Sequence, residues 1–310
     1  MSTATSTSTE TTVTFACFGA HCSISAIGDT DVLEATIADL QTELLEAHDR
    51  FTRFEPTSEL SRLNADPRSR VPVSAPMAEF VAAAIEVALE TDGLVDATVL
   101  DGLESSGYRS DLRSSLPLEL ALGLAPARRP ATAPVDAPWR RIGVDLDACA
   151  VFRPPGVRLD SGGIVKGLLA DVLGGRLRDH DAYAIDCAGD LRLGGADELT
   201  RPVHVASPFG GETLHVFELA RGGIATSGIG RRSWLDANAR PAHHLLDPSS
   251  GRPAFTGVVQ VTALAPTALQ AEARSKAALL SGPSGAAGWL PDGGVVVYDD
   301  GSHLVLPERA

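Results

Sequence analysis

Cysteine, methionine and aromatic residues are all scarce in this chain: four Cys, two Met and 5% Phe, Trp and Tyr among 310 residues. None of Cys17, Cys22, Cys149 and Cys187 forms a CxxC pair. That spacing excludes a zinc ribbon and a thioredoxin-type redox motif, and the four read as small buried hydrophobes. No apolar run approaches the roughly 20 residues a membrane helix needs, so no membrane insertion is expected. Positive charge is also short. With 26 Lys and Arg against 40 Asp and Glu the net charge is -14, a field that repels nucleic acid and anionic membranes. A small anion is not excluded, because a local lysine or a helix N-terminus outweighs distant charge. Met1 to Glu10 contain neither a basic n-region nor an apolar h-region, so no signal peptide is expected. Residues 1–11 read as a disordered tail, and the protein as cytoplasmic with reduced thiols.

What is present is an ordinary globular composition, 44% hydrophobic and 21% charged, in a chain long enough for a sizeable core. Residues 12–27 alternate loosely and read as a strand turned at Gly19. Asp31 with Glu34 forms a capping box, followed by Leu33, Ile37, Leu40 and Leu44 at helical spacing to about Phe51. Residues 51–64 read as a turn and a short helix capped at Thr57 or Ser58. Ser74 caps a second long helix with Pro76 in its first turn and Gly93 after its end. Residues 109–138 are rich in Pro and Ala and read as a flexible loop, the best candidate for a boundary. Short strands are expected at 141–144, 150–153 and 156–159, then a helix from about Gly163 to Arg178. The rest is strand-rich, with a helix capped by Thr267 and Gln270 and a closing hairpin around Asp299-Asp300-Gly301. The fold class this implies is α+β, a mixed α/β arrangement of largely antiparallel sheets flanked by helices.

Several stretches carry potential chemistry. In Leu159-Asp160-Ser161-Gly162-Gly163-Ile164-Val165-Lys166-Gly167 a strand meets a glycine pair and a helix opens at once. Glycine lets backbone approach a ligand, the helix start offers N–H groups to an anion, and Lys166 adds charge one turn in. Alone, it reads equally as a plain strand-to-helix turn, and its spacing is not that of a Walker loop. His243-His244-Leu245-Leu246-Asp247 places a candidate general base, His244, near a carboxylate that could orient it; Asp247 also suits capping of local N–H groups. Glu272 and Lys276 are four apart on one helix face, by default a surface ion pair and otherwise a pair facing a pocket. Leu94-Val95-Asp96-Ala97-Thr98 and Thr226-Ser227-Gly228 are turn-like stretches with polar groups to offer.

Taken in order, these stretches resemble the ApbE family, the FAD:protein FMN transferases. The resemblance runs from about Thr14 to Gly282 and rests on Phe18-Gly19-Ala20, Phe54 to Asn64, Gly93 to Thr98, Leu159 to Gly167, Ala188-Gly189-Asp190, Thr226 to Gly228, His243 to Gly251 and Ala271 to Ala277. It implies one ApbE-like domain over residues 12–310. It also implies transfer of FMN from FAD to a Ser or Thr hydroxyl of an acceptor flavoprotein, with release of AMP and use of Mg²⁺. Phe18 and Phe54 then stand where the family usually has Met and Tyr against a ring. Leu94, Val95, Asp96, Asp160, Lys166 and Leu246 match FAD contacts, Thr226 and Ser227 lie in a matching stretch, and His244 matches the base. The metal position pairs a backbone oxygen, here Gly163, with an Asp and a Thr that are Glu272 and Lys276 in this chain. Either the Lys276 ammonium substitutes for the cation, or Lys276 points away and a weaker metal site remains. Binding of FAD without transfer and hydrolysis of FAD to FMN and AMP are the alternatives, and an acceptor in the cytosol or on a cytoplasmic face is expected.

Overall fold

A computed structural model describes residues 9–309 except Arg113, with nothing said of the Thr30 and Asp31 side chains. The capping box at Asp31 therefore lies outside the described residues, as does most of the expected tail. Its last residues do not fit that expectation, because the first strand already begins at Thr9. The central sheet has eight strands in the order Thr9–Cys17, Ala20–Gly28, Ala182–Cys187, Asp190–Gly194, Gly222–Gly228, Val258–Ala265, Gly294–Tyr298 and His303–Leu306. Every neighbouring pair is antiparallel, so the fold is α+β as expected. The first hairpin turns through Phe18 and Gly19, both at positive φ (53° and 71°), the conformation a two-residue primed turn requires.

Helices α1 (Thr30–Phe51), α2 (Glu59–Ala65) and α3 (Ala75–Glu90) follow the hairpin. Ser58 caps α2 by accepting from Ser61 N–H, and Ser74 caps α3 by accepting from Met77 N–H, each satisfying a donor the first turn cannot. Two short helices, α4 (Leu100–Ser105) and α5 (Leu118–Leu124), come next. The latter corrects the reading of residues 109–138 as a structureless loop: Leu118 and Ala121 are buried. The backbone beyond α5 is also tied down, with Arg129 N–H donating to Phe255 O and Ala131 N–H to Leu280 O at 3.0 and 2.8 Å. Composition pointed to a linker; the apolar spacing of Leu118, Ala121 and Leu122 decides otherwise.

The expected strand at 156–159 has no ladder. The Asn64 side chain substitutes for one, accepting from Leu159 N–H at 2.7 Å and donating to Leu159 O at 2.8 Å. Helix α6 (Val165–Arg176) and helix α7 (Ala268–Gly285) then cross at very short range. A methyl group on Gly167 would meet Ala268 O at 2.7 Å and Leu269 Cα at 2.8 Å, so only glycine permits the approach. Asp171 of α6 accepts from Ala268 and Leu269 N–H, both at 2.9 Å, and so caps α7 from outside beside its own cap, Thr267. One apolar core joins α1, α2, α3 and α6 to the first hairpin, and a second lies between α7 and strands Val258–Ala265 and Gly294–Tyr298. Leu94 packs against both.

Candidate active site

A cavity opens where the hairpin tip, the end of α1, the Leu94–Ala97 turn, the start of α6 and residue 276 of α7 converge. Phe18, Phe54, Leu94, Val95, Asp96, Asp160, Gly163, Lys166, His244, Leu246 and Lys276 all line it. Positions up to 258 residues apart in the sequence are thus brought together by the crossing of α6 and α7 and by the hairpin tip. Thr226 and Ser227 are not among them. They sit in mid-strand, Thr226 Oγ1 paired with Thr262 Oγ1 and Ser227 Oγ with Ser275 Oγ, both at 2.8 Å. These pairs join the strand to its neighbour and to α7, and the structure does not bring Thr226 and Ser227 to the cavity with the other expected contacts.

One wall carries two aromatic rings, Phe54 and Tyr108. Phe54 meets Tyr108 edge-on with ring centroids 5.6 Å apart, and Tyr108 stacks on Trp234 at 5.2 Å. The Arg53 guanidinium lies 4.3 Å from the Phe54 ring centre and 4.5 Å from that of Tyr108, within cation–π range. Arg53 Nε also pairs with Asp160 Oδ1 at 3.0 Å, and Asp160 Oδ2 accepts from Gly162 N–H at 3.0 Å. Arg53 Nη2 is buried without a hydrogen-bond partner among the described residues. On the opposite side Asp96 accepts from both Thr98 N–H and Oγ1 at 2.7 Å; burial outweighs these bonds and raises its carboxyl above the ordinary value.

The floor carries charge. Lys166 Nζ is paired with Asp190, whose side chain is 2% exposed. Burial first, and the nearby Glu272, push the Asp190 carboxyl up to about 6, against the pull of Lys166. For Lys166 burial alone would lower the ammonium, but Asp190 and Glu272 outweigh it and the net direction is up. Glu272 is 0% exposed, and instead of facing solvent it accepts from Lys276 Nζ and from Gly167 N–H, both at 2.9 Å. Burial opposes its ionisation, yet Lys276 and Lys166 hold it below the ordinary value. Two cations and two carboxylates thus balance in one buried cluster. Some N–H groups at the start of α6 are used internally, Val165 on Ser161 O and Gly167 on Glu272. Lys166 and Lys276 are the cations beside this turn.

His244 follows the short strand Pro241–His243. Its backbone N–H donates to Arg232 O at 3.3 Å. Burial, reinforced by Arg232, holds the imidazole well below its ordinary value, so it is neutral at physiological pH. Its Nδ1 is buried and has no hydrogen-bond partner among the described residues. A neutral imidazole in a cavity lining can accept a proton at a ring nitrogen. The expected partnership with Asp247 is not formed. That carboxylate accepts from Thr132 N–H at 3.0 Å, Ser249 N–H at 3.1 Å and the hydroxyls of Ser249 and Ser250, which is its capping role.

The residues at the Gly163 turn do not fit a divalent cation. Lys276 offers only donors, Glu272 is already bonded through both oxygens, and Asp190 is engaged by Lys166. No group of three His, Cys, Asp or Glu side chains among the described residues could hold a metal. Nothing in the sequence spacing marked Arg53, Tyr108 or Arg232 as cavity residues. Arg53 directly precedes Phe54, and its cation–aromatic adjacency was the one available signal.

Two aromatic rings, two lysines and a histidine thus stand around one cavity. The ApbE family model matches residues 12–297, and the chain belongs to the ApbE family. Among its relatives, the FAD:protein FMN transferase of Escherichia coli K12 is 27% identical over 269 residues, covering 84% of this chain and 74% of that protein. One from Klebsiella pneumoniae is 28% identical over 305 residues, covering 94% and 84%. The crystal structure of the ApbE protein from Thermotoga maritima superposes with a TM-score of 0.78 at 22% identity, covering 97% of this chain and all of that one. The apo flavinyl transferase ApbE of Pseudomonas stutzeri gives 0.74 at 20%, covering 97% and 95%. At these identities the structural likeness concerns the fold. No helix among the described residues is long and apolar enough to cross a membrane.

Proposed function

We propose that this protein transfers FMN from FAD to a Ser or Thr hydroxyl of an acceptor flavoprotein and releases AMP. The observation that carries the reading is the convergence on one cavity of Phe18, Phe54, Leu94, Val95, Asp96, Asp160, Lys166 and Leu246 with the neutral His244. In this reading the aromatic wall takes a ring of FAD, and the lysines face the diphosphate. His244 accepts the proton of the acceptor hydroxyl as its oxygen attacks the FMN-side phosphorus. The bond from that phosphorus to the bridging oxygen breaks, and AMP departs with the electron pair. Lys166 stabilises charge that grows on the phosphoryl oxygens. Mg²⁺, which the family resemblance implies, has no complete set of ligands among the described residues, so each step is assigned to the chain's own groups. A cytoplasmic setting belongs to the same reading and is supported by four unpaired thiols; cell fractionation tests it. The function itself is tested with purified protein, FAD and an acceptor domain. Covalent flavin fluorescence on the acceptor with equimolar AMP is expected. AMP and free FMN without labelled acceptor would indicate hydrolysis, and bound but intact FAD would indicate binding alone.

A further inference from the structure

The Lys276 side chain is only 10% exposed and lines the cavity. Its stem runs beside Gly163, where a methyl group would lie in ordinary contact, 3.5 Å from Lys276 Cε. Its partner Glu272 is anchored from behind by Gly167 N–H of α6. The ammonium is therefore fixed at one end of the pair and open to the cavity at the other. It carries three protons and spends one on Glu272, which leaves two for a phosphate group.

We infer that Lys276 is a built-in cation, and that its ammonium takes the place of a divalent metal ion in binding and turning over FAD. The inference rests on the transferase reading for the identity of the ligand. A metal ion at Glu272 would sit beside an ammonium already in hydrogen-bond contact with that carboxylate, and the two positive charges repel. Among the other carboxylates in or beside the cavity, Asp111 stands at the hairpin tip next to Gly19, and three more are already engaged. Asp160 is held by Arg53 and Gly162 N–H, Asp96 by Thr98, and Asp190 by Lys166. A diphosphate, by contrast, meets acceptors' complements on both lysines and on Arg232, a cavity residue with no ion pair among the described residues.

The test compares wild type, Lys276→Thr and Lys276→Arg in EDTA and in Mg²⁺. FAD binding is measured by calorimetry and FMN transfer by acceptor fluorescence, with Mg²⁺ alone titrated into each protein. Wild type should show less than about a twofold difference between the two conditions and no heat with Mg²⁺ alone. Lys276→Arg, which keeps the charge, should remain insensitive to EDTA. Lys276→Thr frees Glu272 and adds a neutral oxygen. It should bind FAD about tenfold or more weakly in EDTA, the scale of one charge-assisted hydrogen bond, and recover with Mg²⁺. A tenfold loss of FAD affinity in wild type on adding EDTA, restored by Mg²⁺, would overturn the inference. So would a Lys276→Thr protein that binds FAD as wild type does in EDTA. If no FMN is transferred under any condition while FAD binding follows the expected pattern, the transferase reading fails and the inference stands for binding alone. Transfer by wild type that requires Mg²⁺ has the opposite meaning.

Discussion

Replacing Lys166 with Met removes one cation from the buried cluster while keeping most of the apolar stem. The loss of stability should depend on pH in a way set by Asp190. In the fold that carboxyl sits at about 6, against an ordinary 3.8. It therefore holds its proton to higher pH when folded than when unfolded, so this group subtracts stability as pH rises from about 3.8 through 6. Lys166 is the charge that limits the shift, and both folded and unfolded chains keep it protonated across the range considered. Without it the Asp190 window extends upward. Removing one partner of a buried ion pair costs about 3 kcal/mol or more, and the share that comes from ionising Asp190 is absent where that carboxyl keeps its proton. Urea unfolding without FAD, followed by fluorescence of Trp139, Trp234 and Trp289, should show a deficit of about 3 kcal/mol at pH 8 that is clearly smaller at pH 5.5, where Asp190 is largely protonated in both proteins. A deficit equal at the two pH values, or below about 1 kcal/mol at pH 8, would refute the reasoning.

His244→Ala should reduce transfer by about 10²- to 10⁴-fold while FAD affinity, read by calorimetry, moves only a few-fold. Because burial holds His244 well below its ordinary value, its protonation should not reduce wild-type turnover between pH 8 and pH 6. A steep fall through pH 6.5 in a pH–rate profile would contradict this. Gly167→Ala should destabilise the protein by about 1–3 kcal/mol in thermal unfolding, since the added methyl meets backbone of α7 that cannot give way. Asn64→Ala removes both bonds to the Leu159 backbone. It should cost about 1–3 kcal/mol in urea unfolding and raise the KM for FAD, because Asp160 follows directly.

Much of this architecture was legible because local chemistry and tertiary packing agree. The caps at Ser58, Ser74 and Thr267, and the turn through Phe18 and Gly19, are short-range signals that nothing distant overrides. Readings failed where a residue type had two uses. Asp247 suited either orienting a histidine or capping a turn, and the backbone N–H groups around it prevailed. Thr226 and Ser227 looked like ligand hydroxyls, but each found a hydroxyl partner on a neighbouring element. Glu272 and Lys276 have the spacing of a surface pair, and only the short approach of α6 buries them. Tyr108 and Arg232 reach the cavity from segments whose sequences carry no distinguishing pattern.

The crossing at Gly167 has a consequence for mechanical tolerance. Lys166 stands on one helix and Lys276 on the other, and the separation of the two axes is set by a missing methyl group and a backbone in hard contact. The spacing of the two positive charges is thereby a dimension of the scaffold. It does not depend on an ion arriving from solution, and a ligand finds it already set.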